Sequence, residues 1–249
     1  MAKKALKQNS KHGTGPYDSL RDYMEAIETH GNVIRIKEID QDSYELTGFM
    51  YKLLDKHGWL GAPSVIVEKI KISGEWVDGP IIVNQYGMAG HEAMAIGVPL
   101  DEIEEGAHVH NYKKALNKMM QMGEITPIKT TEIDKVDAPS KEVILKEDDI
   151  NILDFPFFQT NPGDNGRFIN TGNLVTVDPD QGRNVGTYRM QIKGPRKIGI
   201  SPEKKQDGWK SLMKTKENGE TVAQAVVVLG TDPIVFAMSS SKTARTGQD

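Results

Sequence analysis

The spacing of apolar and polar positions changes character partway along the chain. Leu20, Tyr23, Met24 and Ile27 recur at helical spacing behind Asp18 or Ser19, either of which can cap a helix, and Gly31 stands where a C-cap glycine belongs. "NVIRIKEI" alternates apolar and polar residues and predicts a strand, residues 43–57 predict a second helix ending before Gly58, and "SVIVEKI" is a continuous apolar strand. In "GEWVDGPIIVNQYG" the Asp78-Gly79-Pro80 triplet marks a turn. Residues 91–122 predict helix in two pieces, broken at "GVPLD", with Asp101 capping the second. Residues 16–124 therefore predict an α/β unit, helices packed on a small mixed sheet.

Near residue 125 the pattern shifts to short strands and polar turns. "PIKTTEI", "KEVIL", "FINTGNLVTV" and "GTYRMQI" predict strands, followed by a helix over about 203–216 with Lys204 and Lys205 in its first turn. "TVAQAVVVLG" and "DPIVFAMSSS" predict two more buried strands. So many strands with one intervening helix predict a β-barrel or sandwich over 125–249. Phe155, Phe157 and Phe158 surround a proline and suit a core, or the wall of a planar ligand's site. Residues 1–15, rich in lysine, predict a disordered, solvated tail.

A chain of 249 residues has ample length to bury a core, and its net charge of −4 argues against nucleic acid as the main partner. Cysteine is absent, which excludes thiolate chemistry, disulfides and cysteine-based metal sites. Without an apolar leader or a membrane-length apolar run, the expectation is a cytoplasmic protein with no membrane partner. All six histidines (12, 30, 57, 91, 108 and 110) fall in the first 110 residues. His108 and His110 could pair on a strand, but a histidine base is excluded from the strand-rich half. Chemistry there falls to carboxylates, lysine, arginine or a cofactor.

The segment "NPGDNGRFINTGNLVTVDPDQGRNVGTYRM" predicts a hairpin, with strands over about 168–177 and 184–192. Alternation places Val185, Thr187, Arg189 and Gln191 on one face, and Asn184, Gly186, Tyr188, Met190 and Ile192 on the other. A solvated strand face explains the first set as well as a binding site does. Asn170, Thr171 and Asn173 on the facing strand, with glycines at 163, 166, 172 and 186, favour close approach of a ligand. The helix start near Ser201-Pro202, with its lysines, suits phosphate, and the serines of "MSSSKTARTGQD" suit a hard cation; a solvated helix end and a polar loop account for them equally.

These segments, in this order, resemble the N-terminal half of the UbiD-type decarboxylases, which use prenylated FMN to exchange CO2 on aromatic and α,β-unsaturated acids. The resemblance runs from "YDSLRDYMEAIETHGNVIRIKEID" through "NPGDNGRFINTGNLVTVDPDQGRNVGTYRMQIKGPRKIGI" to "AVVVLGTDPIVFAMSS", and "RMQIKGPRKIGISPEK" is most similar to the phenolic and aryl acid branch. It implies a split β-barrel of the flavin-reductase kind for the second half, incomplete at its C-terminal end.

The resemblance also implies roles. Arg189 matches the arginine that contacts cofactor and substrate carboxylate within a Glu–Arg–Glu network. Thr171 matches a cofactor-contacting threonine, and Thr187 and Tyr188 match neighbours of the isoalloxazine. Asn184 matches a ligand of the Mn2+ (or Mg2+) that bridges the cofactor phosphate, and Ser240 falls in the region binding K+ or Na+. The family's histidine ligand would fall near Glu203-Lys204, where Glu203 could replace it or Lys204 could bind the phosphate directly. The metal-binding glutamate would follow Asp249, so the expectation is an incomplete portion or help from other chains. Implied partners are an aromatic acid or arene plus CO2, a flavin prenyltransferase as cofactor source, and a homo-oligomer or a hetero-oligomer with other carboxylase subunits. A scaffold subunit and a plain FMN oxidoreductase are the alternatives. Asn184 and Arg189 share one site only if Gly186 bends or bulges the strand.

Overall fold

The computed structural model describes residues 13–123, 131–178, 180 and 182–241. The first unit holds α1 (Leu20–Thr29), β1 (Val33–Asp40), α2 (Glu45–His57), β2 (Ser64–Ile72), β3 (Glu75–Val83), α3 (Ala89–Ala95) and α4 (His108–Gly123). Ser19 caps α1 by accepting the Asp22 N–H at 3.1 Å, while its hydroxyl donates to the Asp22 carboxylate at 2.9 Å. β1 and β2 run parallel, β2 and β3 antiparallel. The apolar run of β2 makes it the central strand, with Val65, Val67 and Ile70 fully buried against Leu46 and Leu53 of α2.

Several elements differ from expectation, each for a local reason. Asp78-Gly79-Pro80 is no turn: Val67 pairs with Ile81 and Lys69 with Asp78, so Gly79 and Pro80 oppose Glu68 alone as a bulge. Proline has no N–H to give a ladder, which suits an edge strand at such an interruption. Asp101 lies in a 3-10 turn (Leu100–Glu102) instead of capping the next helix. His108 and His110 open α4 instead of pairing on a strand, and His110 meets Glu104 at 3.1 Å. The expected boundary at 125 and most of "PIKTTEI" lie outside the described residues. "KEVIL" forms no strand, and Val143, Ile144 and Leu145 are exposed.

The second sheet is antiparallel, in the order β6-β5-β4-β7, from β4 (Phe168–Asp178), β5 (Gly182–Gly194), β6 (Lys197–Ile200) and β7 (Ala225–Val228). Neither sheet closes into a barrel among the described residues. α5 (Asp207–Glu217) starts later than predicted, leaving Lys204 and Lys205 in the turn before it. β7 is a short edge strand with Val226 and Val228 exposed, not a buried one. "DPIVFAMSSS" forms α6 (Pro233–Ser239), because Asp232 accepts the N–H groups of Ile234 and Val235 and Pro233 occupies the first helical position.

Two features join the units. Phe157 packs on the core of the second sheet and Phe158 on that of the first, while Phe155 is exposed. α6 inserts Ala237 among Ala93, Ile96, Ala115 and Met119 of α3 and α4, and Phe236 stacks on Tyr86 at 5.8 Å. No helix among the described residues is long and apolar enough to cross a membrane.

His91 of α3 is 2% exposed, and neither ring nitrogen has a partner among the described residues. Burial first, and the charge of His30 second, bring its pKa down to about 4. The unfolded chain protonates this ring near pH 6.5, so the stabilisation is complete above that value and is lost as the pH falls towards the folded pKa. We predict that urea unfolding of the wild type loses up to about 3 kcal/mol between pH 7 and pH 4 through this ring. His91→Leu should lose measurably less over the same range; parallel losses in both proteins would refute the assignment.

Candidate functional site

The β4–β5 hairpin builds the site through strict alternation. Asn173 pairs with Thr187, Leu174 with Gly186 and Thr176 with Asn184. Along β5, Asn184, Gly186, Tyr188, Met190 and Ile192 are buried, and Val185, Thr187, Arg189 and Gln191 point to the other, more open face. β5 runs regularly through 184–189, so Gly186 neither bends nor bulges it. The irregularity is on β4: Gly172 pairs with Tyr188 and Ile169 with Met190, leaving Asn170 and Thr171 both opposite Arg189. Asn184 and Arg189 therefore stay on opposite faces.

The buried face faces α5. The Tyr188 ring fills the space between Gly186 and Gly208, and the Gly208 N–H donates to its hydroxyl at 3.1 Å. A Cβ at Gly186 or Gly208 would stand 2.6 Å or 2.5 Å from this side chain, which explains both glycines by packing. Burial raises the pKa of the phenol. Asn184 is 6% exposed, and neither its Nδ2 nor the Oγ1 of Thr176, which pairs with it across the hairpin, has a partner among the described residues. Glu203 and Lys204 are exposed in the turn before α5.

On the open face, Asn173 is 1% exposed and fully engaged. Its Nδ2 donates to Thr187 Oγ1 at 2.9 Å and Ser239 Oγ at 2.6 Å, and its Oδ1 accepts from Thr231 at 2.7 Å. Ser240 donates to Thr187 Oγ1 at 3.1 Å. Thr171 is exposed and lines a cavity of about 170 Å³ between the units, with Leu20, Ile82, Gln85, Thr231 and Phe236.

Arg189 stands beyond this cluster. Its Nε donates to Asn170 Oδ1 at 2.9 Å, its Nη2 to Asp164 Oδ2 at 2.7 Å, and its Cζ lies 3.9 Å from the centre of the Phe168 ring. Nη1 has no partner among the described residues, and the side chain is 45% exposed. The guanidinium hydrogen bond is the main reason the Asp164 carboxyl is held below the usual aspartate range. A cation fixed along one edge and open at another suits a planar carboxylate.

The expected site residues thus divide. Thr187, Arg189 and Ser240 share the open face, and Thr171 lies opposite Arg189 in the bulge. Asn184 and Tyr188 lie under α5. The positions implied for metals are spread out: Asn184 is on the buried face of β5, Glu203 is exposed before α5, and Ser240, implied for a monovalent cation, bonds Thr187 on the open face. No group of three or more histidines and carboxylates placed to hold a metal occurs among the described residues. Sequence reasoning missed Asp164 and Thr231; the Asn161-Pro162-Gly163-Asp164 turn composition was the only local sign of the first.

Residues 131–248 match the UbiD family, described as the 3-octaprenyl-4-hydroxybenzoate carboxy-lyase Rift-related domain. The chain is 27% identical over 234 residues to a phenolic acid decarboxylase of Escherichia coli O157:H7, covering 90% of this chain and 45% of that protein. The fold superposes on the vanillic acid decarboxylase ShVdcCD of Sedimentibacter hydroxybenzoicus in its closed form with a TM-score of 0.76 at 24% identity, covering 91% of this chain and 46% of that one. HmfF of Pelotomaculum thermopropionicum, a UbiD-class enzyme solved in complex with prFMN, gives a TM-score of 0.67 at 23% identity, covering 87% of this chain and 45% of that one. The two-unit α/β fold, with its antiparallel hairpin, is shared with these structures. The chain carries a segment that matches the UbiD family model and spans about half the length of the curated relatives it matches.

Two outcomes follow. Gly208→Ala should destabilise the protein by about 1–3 kcal/mol in urea unfolding, because the buried ring must move; a neutral effect would show that the ring has room to spare. Asn173→Ala should cost about 1–3 kcal/mol by stranding the Thr231 hydroxyl and its neighbours, and Thr231→Val should cost markedly less when introduced on top of it than alone.

Proposed function

We propose that this chain carries the flavin-facing part of a carboxy-lyase that exchanges CO2 reversibly on an aromatic, phenolic acid with prenylated FMN. The observation that carries this reading is Arg189, fixed by Asn170, Asp164 and Phe168 yet with no partner for Nη1 among the described residues, on a polar, open strand face. Relatives named phenolic acid decarboxylases, and a fold neighbour solved with prFMN, support it. We take the open second sheet as part of a split barrel that further strands complete, whether from the same polypeptide or from another subunit.

In this reading Arg189 holds the substrate carboxylate by two parallel hydrogen bonds. Thr171, Thr187 and Ser240 offer hydroxyls that orient the isoalloxazine, and the cluster around Asn173 keeps Thr187 and Ser240 in place. When bound, prenylated FMN supplies the electron sink that side chains lack for the carbanion left by CO2 loss. Asn184 and Glu203 alone would leave a divalent metal's site incomplete, so no step is assigned to such an ion. The absence of the implied histidine ligand from this stretch favours a second reading, a UbiD-like scaffold subunit that works beside a catalytic partner.

The test is exchange of 13C-bicarbonate into 4-hydroxybenzoate by the chain produced together with a flavin prenyltransferase. Arg189→Ala should lower exchange by about 100-fold or more while flavin content and circular dichroism stay unchanged. Undiminished exchange in the variant would sink the assignment. Flavin-loaded wild type that exchanges only after a partner subunit is added would select the scaffold reading.

A further inference from the structure

We infer that Asp164 is the positioning residue of this site, setting through the loop of residues 159–166 which edge of Arg189 is offered to a carboxylate. The inference rests on the reading of Arg189 as a carboxylate-binding group. Its basis is geometric. Nε and Nη2 are adjacent on one edge of a guanidinium, and here Asn170 and Asp164 accept from those two atoms at 2.9 Å and 2.7 Å. The Phe168 ring covers a face of the same group at 3.9 Å. One edge and one face are thus spoken for, and Nη1 remains without a partner among the described residues. An arginine left 45% exposed would otherwise sample many rotamers.

Asp164 can do this because its own position is held. Its side chain is only 13% exposed, and the same Oδ2 accepts the Asn161 N–H at 3.1 Å. The loop folds around Gln159, whose Nε2 donates to the carbonyls of Asn161 at 3.0 Å and Asp164 at 2.8 Å. The loop is tied in turn to the first unit. Gln41 donates to the Gln159 carbonyl at 2.9 Å, and the Thr47 hydroxyl to the Thr160 carbonyl at 2.5 Å. Gln41 precedes α2 and Thr47 lies in its first turn, so the direction of Arg189 on the second sheet is set from the first. Asn170, the other restraint, is itself fixed by donating to Thr160 Oγ1 at 3.1 Å in the same loop.

The experiment follows the Arg189 side-chain 15N resonances in the full chain while 4-hydroxybenzoate is added. In the free wild type, the Nη protons should give separate signals, since Asp164 slows rotation; averaged signals would overturn the inference without any variant. Asp164→Ser keeps a hydroxyl to accept the Asn161 N–H but is too short to reach the guanidinium. It should average the Nη signals and weaken 4-hydroxybenzoate about fivefold or more, the cost of ordering a long side chain on binding. Asp164→Asn keeps an acceptor at the right distance and should stay within about twofold of wild type. Unchanged or tighter binding in Asp164→Ser, or an equal loss in Asp164→Asn, would overturn the positioning role while leaving the carboxylate-binding reading intact. A wild-type Arg189 unmoved by 4-hydroxybenzoate would overturn both.

Discussion

The buried amide of Asn173 is the constraint on which the arrangement depends. It lies on β4, away from water, and its donors and acceptor reach β5, α6 and the segment before α6 together. A buried amide that loses a partner costs about 1–3 kcal/mol, so Thr187, Thr231 and Ser239 must all arrive for any to be well placed. α6 is thereby fixed to the hairpin on one side, while its Ala237 enters the core of α3 and α4 on the other. One polar cluster in the second sheet thus also sets how that sheet meets the first unit.

The hairpin then divides its work between two faces. On the buried face, Tyr188, Met190 and Ile192 pack with Ile152, Phe157, Ile198 and Ile200, and the glycines at 186 and 208 make room for the Tyr188 ring under α5. On the other face the side chains are hydroxyls, amides and a guanidinium, most of them held by hydrogen bonds to one another or to a neighbouring loop. The period of two along a strand makes this division possible, and the bulge at Asn170–Thr171 lets β4 keep Ile169 in the core despite the extra residue.

Much of this was legible from local pattern. The helices and strands to Ile72 followed from apolar spacing, and the two faces of β5 were readable residue by residue. The misreadings have physical causes. "DPIVFAMSSS" is apolar enough for a buried strand, and its helical nature lies in the capping pair Asp232-Pro233 that periodicity ignores. "TVAQAVVVLG" has the composition of a central strand but sits at an edge, a position set by topology alone. Gly186 was expected to distort β5, but the distortion belongs to β4, where two residues face one. The partner of Arg189 was beyond reach of any strand argument, because Asp164 comes from a loop whose path depends on Gln41 and Thr47, more than a hundred residues earlier.

The bulge opposite Arg189 also bears on how such a hairpin can change through insertion and deletion. In a regular strand, removing one residue turns every following side chain to the wrong face. At Asn170–Thr171 the opposite holds: losing either residue would convert the two-against-one step into ordinary pairing and leave Ile169 opposite Met190 as before. The apolar core would survive such a shortening, and only a polar side chain facing the arginine would be lost. This point in the chain is one where folding and ligand recognition are written in separate residues, so lineages can alter the second by a change of length without disturbing the first.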